Sequence, residues 1–117
     1  MQNQIYSIYH LSIIPSDFDA FETLIAQIVA ATSEEADTTI YEYVVNNDRT
    51  EVHIVERYQT RGLLPHVEQT FSPFAQRFLA LARIEKLFVY GDTTPEIRAT
   101  LDGFGAEYFT PFAGFSR

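Results

Sequence analysis

Apolar residues alternate with polar ones from Ile5 to Ile14, which predicts a strand. Ile5, Tyr9, Leu11 and Ile13 fall on one parity, and Tyr6, Ile8, His10 and Ile14 on the other. Phe18, Phe21, Leu24, Ile25, Ile28 and Val29 then recur at helical spacing as a single apolar stripe. Pro15-Ser16-Asp17-Phe18-Asp19 reads as the helix start, with Ser16 as N-cap and Asp19 at the capping-box position. The helix is expected to end near Thr32 and Ser33, before Glu34 and Glu35. Alternation resumes over Thr38–Val45 and Thr50–Tyr58, around the polar turn Asn46-Asn47-Asp48-Arg49, which predicts a hairpin. Gly62–Gln69 predicts a short helix interrupted near Pro65, because proline removes a backbone donor. A further helix, capped by Thr70 or Ser72, carries Phe71, Phe74, Phe78 and Leu81. A fourth strand covers Ile84–Tyr90 and ends at Gly91-Asp92. Thr94-Pro95-Glu96 opens a short helix with Ile97 and Leu101 as apolar contacts and Gly103 as its stop.

Strand, helix, strand, strand, helix, strand is the βαββαβ order of an α+β ferredoxin-like fold, one antiparallel sheet with helices on one face. In a lone domain of this kind the second sheet face meets water and is polar. Here every strand carries apolar or aromatic residues on both parities, so a second copy packed sheet to sheet, a homodimer, is expected to cover that face, with the aromatic tail as the alternative for part of the cover. Residues 1–92 form the ferredoxin-like domain in this reading, and residues 93–117 a C-terminal helix and aromatic tail packing on the same domain or on the partner chain. The tail contains Phe104, Tyr108, Phe109, Phe112 and Phe115, too much apolar surface to leave in water at roughly 25 cal/mol per Å².

Composition narrows the function classes. A chain of 117 residues, 46% hydrophobic and 15% aromatic, suits one folded domain. Its net charge of −8 argues against nucleic acid and anionic membrane surfaces, both of which recruit Lys and Arg. With no cysteine, disulfides, thiolate nucleophiles and Cys-ligated metals are excluded. The first residues lack the basic and uninterrupted apolar regions of a secretory signal, and no run approaches the roughly 20 apolar residues of a membrane span. A cytoplasmic location is the expectation.

Glu56-Arg57-Tyr58 closes a strand and is followed by a Leu-containing helix, His66 and the Phe-rich helix. In this order and in its elements, the chain over about residues 5–90 resembles the antibiotic-biosynthesis monooxygenase family of dimeric α/β-barrels, which includes small quinol monooxygenases. The haem-degrading relatives use a Trp and a first-strand Asn, and this chain has neither. The resemblance implies a cofactor-independent monooxygenase acting on a small aromatic, quinol or polyketide-like molecule, as a homodimer. A non-catalytic dimer binding a small apolar ligand, and an isomerase or lyase on the same fold, are the alternatives.

Oxygenation without a cofactor asks for a base to deprotonate a phenol or enol, polar groups to hold developing charge, and a dry pocket. His66 is the candidate base, since its ordinary pKa of about 6.5 suits proton transfer near neutrality. Tyr58 is a candidate donor, and Glu56 shares a strand face with Val52 and Ile54, which points to burial and a raised pKa. An arginine such as Arg57 or Arg61 of the dimer is an equally good partner for Glu56. Tyr41, Tyr43, Phe71 and Phe74 are the candidate pocket walls, with the aromatic residues serving equally well as core. His10 and His53 read as structural or interface histidines; they share a ligand only if their strands are neighbours, which spacing does not establish. His66 and Glu68, two apart, do not share a helix face. No metal and no cofactor is expected.

Overall fold

The computed structural model describes residues 3–117. Four antiparallel strands, β1 (Gln4–Ile13), β2 (Thr38–Val45), β3 (Glu51–Gln59) and β4 (Ala82–Tyr90), lie in the order β2-β3-β1-β4. This is the ferredoxin-like βαββαβ arrangement read from the pattern. A fifth strand, β5 (Ala106–Phe109), joins the edge of β4 in parallel, so the sheet is mixed rather than wholly antiparallel. The parallel step is possible because the helix Pro95–Leu101 supplies the crossover.

Helices cover one face of the sheet. The helix α1 (Phe18–Thr32) buries Phe21, Leu24, Ile25 and Ile28, and Phe21 meets Phe78 of the helix Ala75–Leu81 at 5.6 Å between ring centroids. The inward residues of the central strands complete the core: Ile5, Tyr9 and Leu11 on β1, Val52, Ile54 and Tyr58 on β3, Leu87 and Val89 on β4. Ile97 and Leu101 are buried in the same core.

Several local expectations are corrected. Ser16 does not cap α1: the chain enters through a 3₁₀ turn, Pro15–Asp17, whose preceding extended residue is Ile14, and no side chain caps either start. Between β3 and β4 the helical backbone changes type after Pro65 without leaving the helical region, and neither Thr70 nor Ser72 caps a helix. A 3₁₀ turn (Thr60–Gly62), one α-helical turn (Leu63–Pro65), a π-helical stretch (His66–Phe71) and a second 3₁₀ turn (Ser72–Phe74) run on into Ala75–Leu81. Wide turns of this kind are frequent at functional sites. The last helix does not stop at Gly103; a 3₁₀ turn carries it to Gly105, whose left-handed φ of 77° makes the reversal.

The other sheet face is partly apolar, as expected, with Tyr6, Ile8, Val55 and Phe88 half-buried. The tail covers part of it, where Phe109 meets Phe88 and Tyr90 edge-on at 5.9 and 5.7 Å. Phe112 and Phe115 do not pack on their own domain; they are 99% and 77% exposed, lying beyond the last paired residue of β5. Among the described residues no helix is long and apolar enough to cross a membrane.

Candidate active site

Alternation along β3 decides the site's chemistry. Val52, Ile54, Glu56 and Tyr58 all point into the helix-covered core, so a carboxyl group is carried inward by its strand parity. Glu56 is 5% exposed, and the phenol of Tyr58, itself fully buried, donates to Glu56 Oε1 at 2.5 Å. Burial lifts the Glu56 carboxyl to a pKa of about 8, opposed by the Tyr58 hydrogen bond and reinforced by the charge of Glu35. Glu56 is therefore mostly protonated at neutral pH. Within the chain Arg61 pairs with Asp37, and Arg57 binds Thr39 and Tyr6.

His66 opens the π-helical stretch and is 3% exposed. Its Nδ1 lies 3.0 and 3.2 Å from the two carboxyl oxygens of Glu35, just beyond the end of α1. Glu35 is itself fixed by hydroxyl donors, Thr38 at 2.6 Å and Thr70. With Nδ1–H donated to Glu35, the tautomer leaves the Nε2 lone pair as the proton acceptor. Burial lowers the His66 pKa, against the raising effect of Glu35. The ring is thus neutral and oriented, the condition a general base requires.

These groups wall a small enclosed cavity of about 20 Å³, lined by Tyr9, Tyr41, Tyr43, Glu56, His66 and Phe71 with apolar residues around them. That is room for about one water molecule. The Tyr41 and Tyr43 hydroxyls lie 2.9 Å apart, and the Tyr41 ring meets the His66 ring at 5.2 Å. Burial pushes the phenols of Tyr9, Tyr41 and Tyr43 above their ordinary value, so all three stay neutral donors.

The structure brings His66, Glu56, Tyr41, Tyr43 and Phe71 together at this cavity. Tyr58 stands behind Glu56, its ring 5.4 Å from that of His66, and does not line the space. Phe74 is not a wall; it packs on the core with Arg77 over its ring. Phe109, Phe112 and Phe115 lie away from the cavity of their own chain, because the chain after Gly105 passes along the β4 edge. Phe104 reaches it instead. Glu35, Tyr9 and Phe104 are the residues that sequence reasoning missed. Only Tyr9 carried a signal, its parity with Ile5 and Leu11.

No protein-family model and no curated protein matches the sequence. Solved structures do. MupZ from Pseudomonas fluorescens superposes with a TM-score of 0.89 at 24% identity, over 100% of this chain and 91% of that one. SnoaB, a cofactor-independent oxygenase from Streptomyces nogalater, matches with a TM-score of 0.65 at 13% identity, over 79% of this chain and 95% of that one. Rv0793 from Mycobacterium tuberculosis gives 0.64 at 18%, over 78% and 96%. The likeness to MupZ thus takes in the C-terminal helix and β5, whereas the other two leave about a fifth of the chain outside. At these identities what is shared is the fold: the chain is built on the ferredoxin-like architecture of SnoaB and, over its whole length, of MupZ.

Proposed function

We propose that this chain is a cofactor-independent oxygenase acting on a small phenolic or enolic aromatic, of the quinol or polyketide-like class. One observation carries the reading: a neutral base held by a carboxylate, His66 on Glu35, and a protonated acid, Glu56, face the same closed aromatic cavity. SnoaB's description as a cofactor-independent oxygenase on the same fold supports it.

His66 Nε2 takes the proton from the phenol or enol, and the dry walls keep water from returning it. The resulting anion gives up electrons to O₂, and the two combine as a peroxide anion at the activated carbon, which takes back the proton held by His66 to become a hydroperoxide. The O–O bond then breaks as the remaining hydrogen on that carbon departs as a proton, leaving a carbonyl. Glu56 supplies a proton to the departing hydroxide, so one oxygen atom stays in the product and the other leaves as water. Tyr41 and Tyr43 donate to the substrate oxygen as charge develops on it. Tyr58 positions Glu56. Binding displaces Phe104 and Phe71, since the closed cavity is smaller than any ring. A second copy packs on the outer sheet face over Ile8, Val55 and Phe88, completing a homodimer.

A second reading follows from the same acid–base pair. A protonated Glu56 beside a neutral His66 is what proton shuttling without oxygen requires, as in an isomerase or lyase.

The test is oxygen uptake with a panel of quinols and anthrones, wild type against His66→Ala. Uptake falling by about 100-fold or more in the variant is expected, the scale of a lost general base. Equal uptake by both proteins would remove His66 from the mechanism. Turnover persisting without oxygen selects the isomerase or lyase reading, and binding without turnover a ligand-binding protein.

A further inference from the structure

A second cluster of ligating side chains lies on the opposite face of the sheet from the cavity. The antiparallel register of β1 and β3 sets His10 directly across from His53 and Ser12 across from Glu51. The two imidazole rings lie face to face, 3.8 Å between centroids with planes 5° apart. His53 Nε2 is 2.5 Å from Glu51 Oε2, and one ligating atom from each of His10, Glu51 and His53 falls within 4.8 Å of the others. His10 is braced from the side by the edge of Phe88 at 5.3 Å. It also sits where the pairing of β1 with β4 shifts register, between His10 and Leu11. Such irregularities re-aim side chains that regular pairing would space evenly.

Two imidazolium ions would repel each other in such a stack, so the arrangement suits neutral rings, the form that binds metals. Two imidazole nitrogens and one carboxylate oxygen make a three-donor set that zinc accepts, with remaining positions for water, once the two rings turn out of their parallel stack so that their in-plane lone pairs converge. Lys86, paired with His10 across β1 and β4, opposes a cation held by charge alone. Hard ions such as calcium and magnesium, which need several oxygen ligands, are therefore disfavoured against ions bonded to nitrogen. The overall charge of −8 favours cation approach.

We propose that His10, His53 and Glu51 form a binding site for a divalent transition-metal ion of the zinc type, one per chain. The site is separate from the cavity, since the two clusters lie on opposite faces of one sheet. In the single chain the side chains of Glu51 and His53 are 54% and 36% exposed, and in the proposed homodimer the cluster falls on or beside the face between the two copies. The proposal does not rest on the oxygenase reading, and its test needs no substrate.

The experiment uses the untagged full chain, stripped of metal and titrated with Zn²⁺ by calorimetry and with Co²⁺ by visible absorption. One ion per chain is expected, with a dissociation constant in the micromolar range or tighter. Loss of a residue that merely supports a metal ligand costs about 10–100-fold in affinity, so losing a ligand in His10→Ala or His53→Ala should cost at least about 100-fold. Glu51→Gln should weaken binding less. Histidine ring resonances in the wild-type protein give a readout that needs no variant to fold: Zn²⁺ should shift those of His10 and His53 and leave His66 unmoved. Absence of binding up to about 100 μM would overturn the proposal. So would binding that survives both histidine substitutions, or that shifts His66 instead.

Discussion

Replacing Glu56 by Gln keeps the shape of the side chain and an acceptor for the Tyr58 hydroxyl while removing the ability to ionise. The wild-type carboxyl has its pKa raised from 4.5 to about 8, chiefly by burial. A group whose pKa is raised on folding contributes stability that is fully present below its unfolded value and lost as pH rises through its folded value. For Glu56 the window runs from 4.5 to about 8. In this window the unfolded chain releases the proton that the folded chain retains. At 1.36 kcal/mol per pH unit the interval amounts to roughly 4–5 kcal/mol by pH 8 and above, a large share of a typical domain's 5–15 kcal/mol. Urea unfolding of both proteins between pH 4 and 9 measures it. The stability of Glu56→Gln minus that of wild type should grow steadily across the window, toward that magnitude. Differencing removes contributions common to both proteins, including that of His66. Parallel curves for the two proteins would show that Glu56 titrates as if in water, and the protonated acid in the cavity would be refuted.

The cavity and the outer sheet face set four further expectations. The pH profile of kcat/KM should be bell-shaped, rising as His66 loses its proton below pH 6.5 and falling near pH 8 as Glu56 loses its own; Glu56→Gln should lack the basic limb. Because Glu35 raises the His66 pKa, Glu35→Gln should move the acidic limb to lower pH and reduce kcat by about 10–100-fold, with KM little changed. Phe104→Ala should enlarge the cavity at a modest cost, about 1–3 kcal/mol by chemical denaturation since Phe104 is only half-buried, and should tighten binding of bulkier phenols in calorimetry. Ile8→Asp, which puts a charge in the middle of the outer sheet face, should turn the proposed homodimer into a monomer by light scattering without changing the circular dichroism.

Much of the fold was legible because it rests on local periodicity. The α1 stripe, the hairpin at Asn46–Arg49 and the inward parity of Glu56 each follow from spacing within a few residues, and the raised carboxyl pKa follows from that parity. What was not legible depends on contacts between distant residues. Glu35 meets His66 across 31 positions, and its own neighbourhood looks like an ordinary acidic helix end. His10 and His53 stack only because β1 and β3 are neighbours in one particular register, which no spacing along the chain encodes. Which tail rings pack on their own domain was not legible for a related reason. The tail's aromatic content required burial, but pairing of Ala106–Phe109 with β4 decided which rings obtain it: Phe104 reaches the cavity, Phe109 the outer face, and Phe112 and Phe115 neither.

The most direct test of acid–base oxygenation in this cavity is turnover under ¹⁸O₂, with mass spectrometry of the product from wild type and His66→Ala. One heavy oxygen atom in the wild-type product, with product formation lost in the variant, is the expected result. Product without the label, or equally labelled product at equal rates from both proteins, would contradict it.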